Sequence, residues 1–244
     1  MKALILAAGY ATRLYPLTKE YPKPLLPVKK KPIINYIVDK LDAAREVNEI
    51  IVVTNSKFIR CFKKWTQGLR LSKPLVLVDD LTRDNASRLG AIGDVDFVLR
   101  KKNLKENLLV VGGDNLFDAS LKGFLSFVKK HKSSPVIGAY DAKDLERAKH
   151  YGVVRLDKNK RLTDFKEKPK KPHSTLIAMC LYYFPARSLA LIREYLQVRR
   201  KKHDATGLYI DWLKKKMQVY GFVFGGCWHD IGGHKFYRQA RETF

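Results

Sequence analysis

Four short stretches of the chain carry side chains whose types and spacing suit work on phosphate groups. The first runs Leu6-Ala7-Ala8-Gly9-Tyr10-Ala11-Thr12-Arg13-Leu14 and continues through Pro16 and Thr18 to Pro22-Lys23-Pro24-Leu25-Leu26-Pro27. Small residues at Ala7, Ala8, Gly9 and Ala11 let backbone N–H groups approach an anionic or planar ligand, and Arg13 adds a forked cation that matches phosphate oxygens. Small residues also suit an ordinary turn, but a loop that only turns has no use for Arg13 and Lys23 around it. No Gly-Lys-Ser/Thr follows, so this is not a Walker loop, and the glycine spacing is wrong for the dinucleotide fingerprint.

The second stretch is Val110-Val111-Gly112-Gly113-Asp114-Asn115. Ligands bind outside the carboxyl ends of strands in an open α/β sheet, so Asp114 is placed either to hold Mg²⁺ against phosphate oxygens or to cap the next turn. The third pairs Tyr151-Gly152-Val153-Val154 with Phe165-Lys166-Glu167-Lys168-Pro169. Glu167 suits carbohydrate hydroxyls and Lys168 a phosphate, although a Lys-Glu-Lys run also reads as a solvated face. The fourth, Cys227-Trp228-His229-Asp230-Ile231-Gly232-Gly233, offers Asp230, whose simplest reading is an N-cap to a final helix.

The elements that must position these residues follow from the hydrophobic pattern. Apolar runs at Ala3–Ala7, Ile50–Thr54, Leu75–Val78, Leu108–Val111 and Val136–Tyr140 alternate with amphipathic stretches at Ile33–Ala44, Phe58–Leu69, Leu89–Lys101 and Leu121–His131. That alternation predicts a mainly parallel sheet with helices on both faces, joined by right-handed crossovers. Past Tyr140, Tyr151–Leu156 and Arg161–Lys166 flank Asp157-Lys158-Asn159-Lys160 and predict a β-hairpin insert. A strand at Ile177–Phe184, helices at Ala186–Val198 and Gly207–Met217, a strand at Val219–Phe224 and a short helix from Gly233 complete the expected order. The expected class is α/β, with a Rossmann-like mixed sheet in one domain over residues 1–244. Residues 1–140 form its nucleotide-binding half and 141–244 the half that closes over the second substrate.

Composition bounds the function classes. With 45% hydrophobic residues among 244, the chain has apolar surface enough for a folded globule. No apolar run reaches the 18 or so residues of a membrane span, and no signal peptide is evident. Three widely spaced cysteines, Cys61, Cys180 and Cys227, fit neither a disulfide framework nor a zinc site, so a reducing cytoplasm is expected. The 48 Lys and Arg against 24 Asp and Glu give a net charge of +24. Basic runs at Lys29–Lys31, Arg100–Lys102, Lys129–Lys130, Lys168–Lys171, Arg199–Lys202 and Lys214–Lys216 are dispersed. No helix-turn-helix, RNA-binding aromatic motif or zinc module accompanies them, which weighs against a nucleic-acid-binding protein.

Taken in order, the four motifs resemble those of sugar-1-phosphate nucleotidylyltransferases of the glucose-1-phosphate thymidylyltransferase type. The likeness runs from Leu6 to Gly232. Ala11 stands where the family's usual loop has a second glycine, Met179-Cys180 replaces its usual Thr-Gly, and Asp84–Gly90 lacks its usual base-reading Gly-x-Ala-Gln-Ala. The resemblance implies that Leu6, Ala8, Gly9, Tyr10, Ala11, Thr12, Arg13, Asn85 and Gly90 bind the nucleotide, and that Arg13, Lys23 and Asp114 are catalytic. It further implies Tyr151, Gly152, Glu167 and Lys168 as the sugar-phosphate site, with Asp114 and Asp230 holding Mg²⁺. The implied partners are a nucleoside triphosphate and a sugar 1-phosphate, with no membrane and no nucleic acid. A phosphocholine cytidylyltransferase is the enzymatic alternative, for which Tyr151, Tyr182 and Trp212 are candidate walls of a cation box. The chain ends shortly after the Asp230 segment, so a further activity such as acetyl transfer is not expected.

Overall fold

The structure, a computed structural model, describes residues 1–198 and 205–244. The basic run Arg199–Lys202 lies outside the described residues.

The first half is built from β1 (Lys2–Leu6), the short pair β2 (Pro27–Val28) and β3 (Lys31–Pro32), α1 (Ile33–Asp42), β4 (Glu49–Thr54), α2 (Ile59–Gln67), β5 (Leu75–Asp79), α3 (Ala91–Lys101), β6 (Leu108–Gly112), β7 (Asn115–Phe117), α4 (Lys122–Lys130) and β8 (Val136–Asp141). The second half adds α5 (Leu145–Ala148), β9 (Gly152–Leu156), β10 (Leu162–Glu167), β11 (Leu176–Phe184), α6 (Ala190–Val198), α7 (Thr206–Leu213), β12 (Tyr220–Phe224), β13 (Trp228–Asp230) and α8 (His234–Thr243). Every strand and helix expected from the apolar pattern is present within a few residues. The short β2–β3 and β7–β13 pairs and the one-turn α5 carry too little periodicity to be read from sequence.

Among the described residues nine strands form one sheet, in the order β10-β9-β11-β6-β1-β4-β5, with β8 along the other edge of β11 and β12 beyond β8. Strands β5, β4, β1 and β6 are mutually parallel. The long β11 then runs antiparallel to β6 on one edge and to β8 on the other. The run Val136–Tyr140, which by itself reads as one more parallel neighbour, is thus separated from β6 by a strand that arrives forty residues later. The hairpin β9–β10 is antiparallel, as expected.

Alternation along the strands fills both faces. In β1, Ala3 and Ile5 join Ile50, Val52, Leu109 and Val111 under α1, α2 and α4. Leu4 joins Ile51, Val53 and Val110 under α3, α6 and α7. All eleven of the strand residues Ala3, Leu4, Ile5, Ile50, Ile51, Val52, Val53, Leu109, Val110, Val111 and Leu181 are essentially inaccessible, and each large aliphatic one contributes about 1.5–3 kcal/mol by burial. This core holds the carboxyl ends of β1 and β6 side by side. The Gly113 N–H donates to the Leu6 carbonyl at 2.8 Å, and a Cβ at Gly113 would lie 2.9 Å from that oxygen.

Candidate active site

The loop after β1 is fixed along its length. The Asn55 side chain donates to the Ala8 carbonyl (2.8 Å) and the Thr18 hydroxyl to that of Ala11 (2.8 Å). Thr12–Leu14 forms one 3₁₀ turn and Lys23–Leu25 another. Ala11 adopts the left-handed conformation (φ 48°, ψ 42°), which explains a glycine preference at this position. Its strain, about 1–2 kcal/mol, is comparable to what one fully buried aliphatic residue of the adjoining core contributes. Gly9 is open to solvent. The Tyr10 side chain turns inward, its hydroxyl hydrogen-bonded to Thr82 Oγ1 at 3.0 Å.

Asp114 lies two residues past the end of β6, after Gly113, and pairs with the Lys23 ammonium. Asp230 reaches the same place by a different route. The ribbon β7–β13 sets Asp230 opposite Asn115, the residue after Asp114. The N-cap alternative for Asp230 does not hold, because α8 starts at His234 after Gly233 and has no side-chain cap. Burial, and next the neighbouring Asp114 carboxylate, push the Asp230 carboxyl up to about 6. Burial is the largest influence and would raise Asp114 as well, but attraction to Lys23, the hydrogen bond from it, and further hydrogen bonds from the backbone and Asp230 together hold Asp114 below the usual range. For Lys23 the sign mirrors this: burial disfavours the ammonium, and Asp114, then Asp230, raise its pKa regardless.

Two half-buried carboxylates that repel each other provide a donor set for a hard divalent cation. Mg²⁺ commonly uses one or two protein carboxylates and completes its shell with phosphate oxygens and water. Among the described residues no cluster of three or more His, Cys, Asp or Glu side chains is arranged as a metal cage. Asp114 and Asp230 are the carboxylates that could hold such an ion.

A cavity of about 270 Å³ opens beside this pair. Its lining includes Arg13, Asp114 and Asp230 at one end, Tyr151, Gly152, Glu167 and Lys168 along the hairpin, and Cys180, Tyr182, Thr206 and Gly207 at the floor. Glu167 is not on a solvated face. Its side chain is 18% exposed, and burial raises its pKa, with Lys168 4.0 Å away partly offsetting that. Two glycines make its seat: a Cβ on Gly207 would lie 2.0 Å from Glu167 Oε2, and one on Gly152 3.2 Å from the same atom. The Tyr151 hydroxyl is buried and its pKa is pushed up to about 12, chiefly by burial and next by Asp230.

The floor includes the Met179-Cys180 segment. Between Ala178 and Tyr182 the pairing of β11 with β8 shifts register, and Cys180 takes a left-handed φ of 52°. The Asn115 amide holds this bulge, donating to the Met179 and Cys180 carbonyls and accepting from Trp228 Nε1 at 2.6 Å. Burial, then Asp114 and Asp230, raise the Cys180 thiol to about 12, so it is a neutral wall. The Tyr182 hydroxyl is hydrogen-bonded to Thr206 Oγ1 at 2.8 Å.

Of the sequence-derived candidates, Arg13, Lys23, Asp114, Asp230, Tyr151, Gly152, Glu167 and Lys168 come together: seven line the cavity and Lys23 pairs with Asp114. Leu6, Ala8, Gly9, Tyr10, Ala11 and Thr12 form the adjoining β1 loop outside it. Asn85 sits in the exposed Asp84–Arg88 turn, where Arg88 donates to its carbonyl, and Gly90 (φ 80°) precedes α3. Sequence reasoning missed Asn115, Thr206 and Gly207. The one available signal is a glycine opening the predicted helix Gly207–Met217, a residue type that costs helix stability. His229 lies against Thr243 and is not placed for catalysis.

The chain has relatives among known proteins. The chain is 32% identical to the putative mannose-1-phosphate guanyltransferase of Sulfolobus acidocaldarius, over 95% of this chain and 60% of that protein. It is 29% identical to the glucose-1-phosphate thymidylyltransferase of Neisseria meningitidis, over 98% and 81% respectively. It spans about half the length of other curated relatives, such as the bifunctional GlmU of Methanocaldococcus jannaschii, at 51% of that protein. A UDP-glucose pyrophosphorylase solved with UDP-glucose shares the fold, with a TM-score of 0.84 at 21% identity over 99% of this chain and 97% of that one. The nucleotidyl transferase family model matches residues 2–244, and the chain belongs to that family.

Proposed function

We propose that the protein is a Mg²⁺-dependent sugar-1-phosphate nucleotidylyltransferase, its nucleotidyltransferase domain transferring a nucleoside monophosphate from the triphosphate to a sugar 1-phosphate with release of pyrophosphate. The observation that carries this reading is the meeting of two segments 116 positions apart, Asp114 and Asp230, at the junction between a cationic loop and a carbohydrate-sized cavity. Arg13 and Lys23 stand on the loop side, and Glu167 and Lys168 on the cavity side.

The nucleophile is an oxygen of the sugar phosphate, attacking the α-phosphorus as the bond to the pyrophosphate oxygen breaks. A phosphate monoester has its second pKa near 6 and is already ionised at neutral pH, so no general base is required. The reaction so read needs no catalytic histidine. Lys168 binds the sugar phosphate while Glu167, fixed against Gly207 and Gly152, accepts hydrogen bonds from ring hydroxyls. Arg13 and Lys23 neutralise charge on the departing pyrophosphate, and Asp114 with Asp230 would hold Mg²⁺, which screens the two anions from each other. Catalysis then consists of alignment and charge neutralisation.

The phosphocholine alternative keeps two of its three expected aromatic walls, and Phe165, Trp228 and Phe236 also line the cavity. Tyr151 and Tyr182 line the cavity, but Trp212 stands apart from it, against Tyr195 and Tyr209 with the Lys216 ammonium over its ring. The test is pyrophosphate release over a grid of nucleoside triphosphates against sugar 1-phosphates and phosphocholine, with and without Mg²⁺. Release with at least one sugar 1-phosphate, dependent on Mg²⁺, is expected; none in any combination overturns the reading.

A further inference from the structure

Lys23 bridges the two segments that carry Asp114 and Asp230. Its ammonium pairs with Asp114 Oδ2 and donates at 3.0 Å to the carbonyl of Ile231, the residue after Asp230. One cation thus ties together both carboxylate-bearing segments. The arrangement is built into the backbone. Lys23 starts a 3₁₀ turn flanked by Pro22 and Pro24, closed by the Leu26 N–H to the Lys23 carbonyl at 3.0 Å. Pro24 packs on the Asp114 loop, so that a Cβ on Gly113 would lie 3.3 Å from Pro24 Cγ. Only the four-carbon stem is left free to swing.

Charge balance sets the consequence. Two carboxylates facing one lysine leave a single net negative charge among the three groups, which Arg13 and Lys168, both acting on Asp230, offset further, and the lysine pairs with an Asp114 oxygen that a divalent ion could use. A triphosphate changes the balance, because it brings several negative charges that attract both the ammonium and the ion.

We infer, resting on the nucleotidyl-transfer reading above, that Lys23 is a placeholder: it neutralises Asp114 in the nucleotide-free protein and moves onto the triphosphate as that ligand arrives, so that the divalent ion binds with the nucleotide and not before it. The Lys23 stem is then a positioning element that couples two binding events, in addition to any phosphate contact it makes once moved.

The test uses Mn²⁺ as the probe, with binding to the full chain read by electron paramagnetic resonance or calorimetry at pH 7.5, with and without a non-hydrolysable nucleoside triphosphate analogue. The wild type is expected to bind Mn²⁺ weakly alone and at least about tenfold more tightly with the analogue. Lys23→Met, of similar length and uncharged, is expected to bind Mn²⁺ alone at least about tenfold more tightly than the wild type, a gain that Asp114→Asn in the same chain removes. Lys23→Arg keeps a cation on Asp114 and should leave Mn²⁺ binding weak. Thermal melting reports whether each variant is folded, and Lys23→Gln replaces Lys23→Met if the latter is not. A folded Lys23→Met or Lys23→Gln that binds Mn²⁺ no better than the wild type overturns the inference, as does tight Mn²⁺ binding by the wild type alone. A wild type in which the analogues neither bind nor alter Mn²⁺ affinity, and which releases no pyrophosphate, overturns the parent reading instead.

Discussion

The two sides of the site are made in different ways. The loop side is one contiguous run, residues 6–27, pinned at intervals by Asn55, Thr18 and Gly113. The cavity side is assembled from β9, β10, the β11 bulge and the start of α7, which between them span more than fifty residues. A contiguous loop carries its chemistry in its own order and tolerates a local departure such as Ala11. An assembled pocket depends on fit between segments, so its tightest contacts, such as Gly207 against Glu167, should be its most sensitive points.

Asp114 and Asp230 sit where the two sides meet, and changes there should be largest. Asp114→Asn is expected to lower kcat by roughly 10²–10³ or more in steady-state assays while leaving the circular dichroism spectrum unchanged. Near-normal turnover would remove Asp114 from the metal role.

Asp230→Asn should cost activity on the same scale yet stabilise the ligand-free protein. The folded-state pKa of Asp230, about 6, lies above the ordinary 3.8, so its protonated form is the one the fold favours. Its contribution to stability is present below the ordinary value and is lost as pH rises through about 6. The Tm gain of Asp230→Asn over the wild type should therefore grow between pH 4 and pH 7 and level off above that. A gain that stays flat with pH would contradict the burial and repulsion argument.

On the cavity side, Gly207→Ala must displace Glu167 or Phe165, whose ring carbon would lie 2.6 Å from the new Cβ. We expect kcat/KM for the sugar 1-phosphate to fall roughly ten- to a hundredfold with the KM for the triphosphate unchanged. Equal effects on both substrates would show that the two sides are not separable.

The smallest effect belongs to the loop. Ala11→Gly relieves a left-handed residue but adds unfolded-state entropy, so its stability change should stay within about 1 kcal/mol by denaturant titration. A larger loss would mean that the Ala11 methyl has a packing role.

The order of strands and helices was legible because burial of both sheet faces imposes a periodicity that the residues must carry. The phosphate loop was legible because Arg13 and Lys23 lie close in sequence to the small residues they serve. Asp230 was placed by resemblance alone, its spacing being equally consistent with a helix cap. What brings it to Asp114 is three residues of backbone pairing between β7 and β13, too short to leave a pattern. Glu167 in its Lys-rich run has the composition of a surface, and becomes a buried acceptor only because Gly152 and Gly207 arrive from separate elements. The position of β8 beyond β11 was not readable either, since an apolar strand buried on both faces has the same composition whichever neighbour it takes. Composition, element order and the cationic loop were thus written in the sequence. The pairing of the two aspartates, the seat of Glu167 and the Lys23 contact that bridges the site were decided by long-range packing, because each depends on distances between residues that no local pattern links.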